Sequence, residues 1–200
     1  MRWPLRSLAP VALLACLACQ PRVPAPVYGP WEEGLTLAFE DPSRPQPQRM
    51  AERLQLRVAR STLAPGTPTL VQLDLTNLKG RMSLLAKHHD GGIDLVGDGG
   101  QLLAVVLPAH FPEVPGWVDH GIEFRVLGRA TWGSAAILPA TSDPIGVWVE
   151  ARTPLGPRRR TLYLPNLGGV ETLEERNGAW IPVNRLVGRG FTDLPAFKRP

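Results

Sequence analysis

Four histidines are the residues of this 200-residue chain best equipped for chemistry: His88 and His89, followed directly by Asp90, then His110 and His120. Neutral imidazoles with a carboxylate form a good zinc ligand set, and an open position on the metal would support hydrolysis. The spacing argues against that use. Adjacent histidines on a strand point to opposite faces, and no HExxH pattern occurs. His88-His89-Asp90-Gly91-Gly92 also reads as the end of a strand entering a turn. No metal site is assigned.

Other catalytic patterns fall short in similar ways. Ser134, in Trp132-Gly133-Ser134-Ala135, lacks the second glycine of a nucleophile elbow. Asp119 and His120 are sequence neighbours, which does not orient a Ser–His–Asp triad. Gly97-Asp98-Gly99-Gly100 has no Lys-Ser or Lys-Thr to make a phosphate loop and no EF-hand spacing, so it is expected to be a hairpin turn. No catalytic residue and no cofactor are assigned.

Residues suited to contact are easier to find. Trp117 lies in the proline-rich stretch 108–117, where loop position favours interaction with something outside the domain. Trp148 alternates out of phase with Val147 and Val149, so it takes the opposite sheet face from them. Arg158, Arg159 and Arg160 follow Leu155-Gly156-Pro157 and could meet anionic lipid headgroups or lipopolysaccharide phosphates. The competing interpretation is a solvated turn leading into the strand Thr161–Leu164. These five residues are the candidate contacts with a partner or ligand.

The only two cysteines are Cys16 and Cys19. They end a segment with Arg2 and Arg6 followed by a short apolar run, Leu8 to Ala18, interrupted by Pro10. That run is far shorter than the roughly 20 residues a membrane-spanning helix requires, and charge followed by a short apolar run marks a secretory signal. Leu13-Leu14-Ala15-Cys16 and Cys16-Leu17-Ala18-Cys19 each resemble the lipobox of bacterial lipoproteins. In that class a small residue precedes the cysteine that is lipidated and becomes the mature N-terminus. The resemblance implies lipidation at Cys19, preferred for its longer apolar run, or at Cys16, which has the usual upstream leucine. It also implies a place in the cell envelope. The absence of aspartate after either cysteine points to the outer rather than the inner membrane.

Downstream of Cys19 there is no cysteine, so the mature domain has no internal disulfide, thiolate zinc site or haem-attachment motif. Packing alone must hold it. The formal net charge of +4 falls to +2 once Arg2 and Arg6 are removed with the signal. A charge that small and dispersed is no nucleic-acid footprint.

The elements that must position these residues follow a period of two. Residues 20–30 (QPRVPAPVYGP) form a proline-rich tether, able to extend about 34 Å as polyproline II. Beyond it Leu35, Leu37 and Phe39 alternate, as do Leu54, Leu56 and Val58; Val71, Leu73 and Leu75; and Ile122, Phe124 and Val126. Leu102 to Leu107 is continuously apolar, as expected of a strand covered on both faces. A helical turn is expected near Gln48 to Arg53 only. Residues 54–78, with a Pro65-Gly66 turn and a Thr76-Asn77 close, resemble the opening of bacterial immunoglobulin-like domains. The fold class expected is thus mainly β, an immunoglobulin-like β-sandwich over residues 31–165. Residues 166–200 are expected to form a C-terminal edge hairpin and tail, with Asn177-Gly178 as a type I′ turn.

The function expected is a non-catalytic cell-envelope lipoprotein, a binding or assembly module. Its partners would be the membrane, through its lipid, and an envelope protein, glycan or lipid, with no nucleic acid. The alternative is a secreted hydrolase with an unfamiliar, metal-dependent or metal-free site. Replacing both Cys16 and Cys19 by Ser is expected to release the protein from the membrane fraction, because its lipid is the anchor and no other segment is long or apolar enough to hold it. Fractionation at high salt checks this, and a double mutant that still pellets overturns the tether.

Overall fold

Where hydrophobic residues alternate, the chain forms strands, and it joins them in the order it makes them. The computed structural model describes residues 26–62, 69–134, 137–138 and 144–191. Its elements are β1 (Thr36–Glu40), α1 (Gln46–Ala51), β2 (Leu54–Thr62), β3 (Thr69–Asn77), β4 (Gly80–His89), β5 (Gly92–Val96) and β6 (Leu102–Leu107). They continue with β7 (Gly116–Asp119), β8 (Ile122–Thr131), β9 (Ile145–Arg152), β10 (Arg159–Leu164), β11 (Gly168–Arg176) and β12 (Ala179–Gly190).

The mainly β expectation holds, but the architecture differs from a two-sheet immunoglobulin-like sandwich. All twelve strands belong to one antiparallel sheet in the order β6-β5-β4-β3-β2-β1-β12-β11-β10-β9-β8-β7. Sequence neighbours pair throughout except β6 and β7, and β1 also pairs with β12, Thr36 lying opposite Gly190. The result is a nearly closed, barrel-like meander whose two free edges are β6 and β7. Short strands and tight turns suit a barrel as well as a sandwich, so local pattern could not separate the two.

Alternation sets the faces. Val71 and Leu73 of β3 point into the core and Val58 of β2 joins them, with Leu73 opposite Val58 and Leu84. On the other face of β3, Asp74 is buried although the pattern exposes it. It accepts a hydrogen bond from Ser83 Oγ at 2.6 Å and is ion-paired with Arg81. The Ser83 bond, reinforced by Arg81, outweighs burial and holds the Asp74 carboxyl below its usual range.

The expected helical turn is α1, which begins two residues earlier than the sequence suggests, after Pro45. The Gly97–Gly100 turn forms, with Gly100 N–H donating to the Gly97 carbonyl at 2.8 Å. The Pro65-Gly66 turn lies outside the described residues.

Two other expectations are revised. Leu102 and Leu103 are exposed, because β6 is a free edge rather than a strand covered on both faces. The hairpin of β11 and β12 turns through Asn177 (φ 53°) and Gly178 (φ 79°), both left-handed as a type I′ turn requires. It is no edge hairpin, however: β12 is inserted between β11 and β1, and the sheet runs unbroken past residue 165. At the other end of the chain, Tyr28, Gly29 and Pro30 are buried against the barrel.

Where β6 and β7 fail to pair, aromatic side chains fill the gap. Trp117 Nε1 of β7 donates to the Val105 carbonyl of β6 at 3.4 Å. Trp117 stacks on Phe124 with ring centres 4.7 Å apart. Phe111, from the loop joining β6 to β7, meets the edges of Trp117, Tyr28 and Tyr163.

Leu73→Ala is expected to cost about 2–5 kcal/mol through lost burial and a residual cavity. Gln72→Ala, on the outer face of the same strand, should cost about 0.5 kcal/mol or less. Urea denaturation of both variants checks the register, and equal effects would contradict it.

Candidate functional site

Two of the five candidate contact residues meet on the outside of the barrel. On β9, Val147 and Val149 are in the core, so Trp148 and Glu150 take the outer face. Register then places Trp148 between Gly128 of β8 and Leu162 of β10, and Glu150 opposite Arg160. A bulge between Val126 and Gly128 shifts β8 by one residue at this point and adds Leu127 to the strand. The space beside the bulge is a groove of about 280 Å³ lined by Leu127, Gly128, Arg129, Trp148, Arg160 and Leu173.

Below and beside the groove lies a charge network. The Glu150 carboxylate is 1 % exposed, yet it accepts hydrogen bonds from Arg152 Nε at 2.8 Å and Arg160 Nε at 2.9 Å, with Arg158 at 3.8 Å. Burial would raise its pKa, but the two arginines outweigh burial and keep it below the usual range. Arg160 is further fixed by Trp180, whose ring lies 4.0 Å below its guanidinium. An arginine held on two sides loses little freedom when a ligand arrives.

The rest of the arginine run is also paired. Arg158 donates to Glu175 at 2.6 Å, and Arg159 donates to Glu174 at 2.8 Å, which Arg176 Nε shares at 2.8 Å. These bonds lower the pKa of Glu174, through Arg176 and then Arg159, and of Glu175, through Arg158. Run and glutamates together are close to neutral. Arg129 differs, with no ion-pair partner among the described residues. The sequence did not single it out, since only the β8 bulge brings it beside Trp148. Trp117, the other aromatic candidate, is occupied in the gap between β6 and β7.

The histidines disperse as strand geometry requires. His88 faces the core with 6 % exposure, while His89 on the outer face bonds Asp94 at 2.9 Å. His110 sits in the β6–β7 loop, and His120 in the β7–β8 turn bonds Asp119 at 2.9 Å. Among the described residues no three His, Cys, Asp or Glu side chains gather to hold a metal. Cys16 and Cys19 lie outside the described residues. No described helix is long and apolar enough to cross a membrane.

No family model and no curated protein matches the chain. Solved structures do. A "putative exported protein with YmcC-like fold" from Bacteroides fragilis NCTC 9343 superposes with a TM-score of 0.51 at 15 % identity, covering 83 % of this chain and all of that one. A "putative lipoprotein" from Parabacteroides distasonis ATCC 8503 gives 0.47 at 12 % identity, over 83 % and 99 % of the two chains. The first is a likeness of fold. The twelve-stranded meander is similar to the YmcC-like fold.

Burial, with a smaller effect of neighbouring His89, pushes the His88 pKa down from 6.5 to about 4. An unfolded chain then binds more protons at this group than the folded one between those values. Stability from neutral His88 is complete above pH 6.5, declines as pH falls from there, and is lost once pH passes about 4. The full difference is about 3 kcal/mol. Urea denaturation between pH 7 and 4.5 should show this decline in the wild type and a flatter profile in His88→Leu. Parallel profiles would contradict the neutral assignment.

Proposed function

We propose that this chain is a non-catalytic binding module of the bacterial cell envelope, held at the outer membrane by lipid on Cys19 or Cys16. Its Trp148 groove takes a glycan bearing acidic groups. The exported fold neighbour from Bacteroides fragilis is in keeping with that location.

The observation that carries the reading is the composition of the groove: an aromatic residue lining it, a pre-fixed arginine at one side and an unpaired arginine at the other. A tryptophan offers an apolar, weakly polarised face to sugar C–H groups. Arginine matches a carboxylate through two parallel N–H bonds, with a geometry that lysine cannot reproduce. Leu127 and Leu173 supply apolar borders that keep water from competing along the ring.

Tryptophan fluorescence with an oligouronate, and with a neutral oligoglucoside of equal length, tests the assignment. Quenching by the oligouronate is expected, weakened by about tenfold or more in Trp148→Ala. Arg129→Gln should erase the preference for the acidic sugar while leaving the neutral one unaffected. Absence of any quenching, or quenching that persists unchanged in Trp148→Ala, removes the groove as a glycan site.

A further inference from the structure

The barrel interior is not completely filled. A cavity of about 150 Å³ lies on the inner side of the sheet, between β4 and β5 on one side and β10 and β11 on the other. Leu56, Leu73, Ile93, Leu95 and Val106 form much of its wall, and no charged residue lines it. His88 borders this space, together with the rings of Tyr28 and Tyr163. His88 is 6 % exposed, and neither Nδ1 nor Nε2 has a hydrogen-bond partner.

That combination is costly for the protein alone. A neutral imidazole carries one donor and one acceptor, and each buried polar atom left unmatched costs about 1–3 kcal/mol. A trapped water is a poor remedy, since buried waters need about two to four polar partners and this wall is almost entirely apolar. Apolar cavities near 150 Å³ accept solutes the size of benzene, and this one is partly open to the surface, which gives a solute a way in. The demand at His88 and the shape around it are therefore met together by one kind of occupant.

We propose that this cavity is a binding site for an uncharged molecule with an apolar body of benzene size and a single hydroxyl or carbonyl group, which His88 hydrogen-bonds. A charged ligand would lose its hydration to a wall that offers no countercharge. His88 is itself held neutral there. One wall is the segment Tyr28-Gly29-Pro30, the end of the stretch the sequence assigned to the proline-rich tether. Gly29 approaches so closely that a side chain there would stand 2.9 Å from His88 Cε1 and 2.6 Å from Ile93 Cδ1. The Asn166 N–H bond to the Val27 carbonyl at 2.6 Å, and the Trp31 Nε1 bond to Asn166 Oδ1 at 2.9 Å, pin that wall in place.

Phenol is the probe, with benzene as the apolar control and benzoate as the charged one. Each is titrated into the full chain in detergent while the His88 ring resonances are followed by NMR. Saturable shifts are expected with phenol, weaker ones with benzene and none with benzoate. His88→Leu, followed by thermal stabilisation, should lose about tenfold in phenol affinity and keep or improve benzene binding. Ala86→Val, which adds two methyl groups to the same wall while keeping His88, should weaken phenol and benzene alike. No saturable shift with either neutral probe would overturn the site. So would a His88-bound water that phenol does not displace, benzoate binding as well as phenol, or an unchanged preference in His88→Leu.

Discussion

The antiparallel pairing of β1 with β12 is the constraint on which the molecule depends. Without it the chain would be two six-stranded arcs, β1–β6 and β7–β12, each curved by its own twist and each with an apolar face exposed to water. With it the arcs become one wall around a common interior. β1 lies between β2 and β12, and its residues Thr36 to Phe39 are all buried. A strand covered on both faces cannot show plain alternation in its burial, and the five residues of β1 show none.

The same closure explains the other edge. A ring of this size built from short strands does not have to meet perfectly, and here it stops short between β6 and β7. No ladder of backbone bonds crosses the gap. The crossing is made instead by Trp117 reaching the Val105 carbonyl, with Phe111 beneath. Tryptophan suits that position because its ring fills apolar space while its N–H satisfies a carbonyl that a missing strand would have served. The exposed Leu102, Leu103 and Val118 border this same gap.

Strand positions were legible in the sequence because side-chain alternation is a local property. Val71 and Leu73, His88 and His89, and the Asn177-Gly178 turn all follow from two-residue geometry and left-handed backbone preferences. What local geometry does not carry is which distant strand lies alongside. The pairing of residues 36 and 190 has no signature in either segment, so a sandwich and a barrel were equally compatible with the pattern. The candidate site divides along the same line. Trp148 was legible as an outward tryptophan and the arginine run as a cluster. The glutamates that neutralise most of that cluster, and the β8 bulge that brings Arg129 beside Trp148, come from neighbouring strands. Asp74 shows the same limit: alternation places it on the outer face, and its burial comes from Arg81 and Ser83 on the next strand.

The position of the ring closure also fixes an order of events for a chain delivered N-terminus first. β1 emerges early, pairs with β2, and then waits with its second edge bare until the last strand arrives. For that interval the most completely buried strand of the finished protein is an open template for a foreign strand. Closing the ring brings together segments from opposite ends of the domain, a contact whose entropic cost is met only near the end of assembly. Once closed, the final strand ends beside the start of the first, so Gly190 and Thr36 share one rim of the barrel. Whatever surface lies against that rim meets the first strand and the last together.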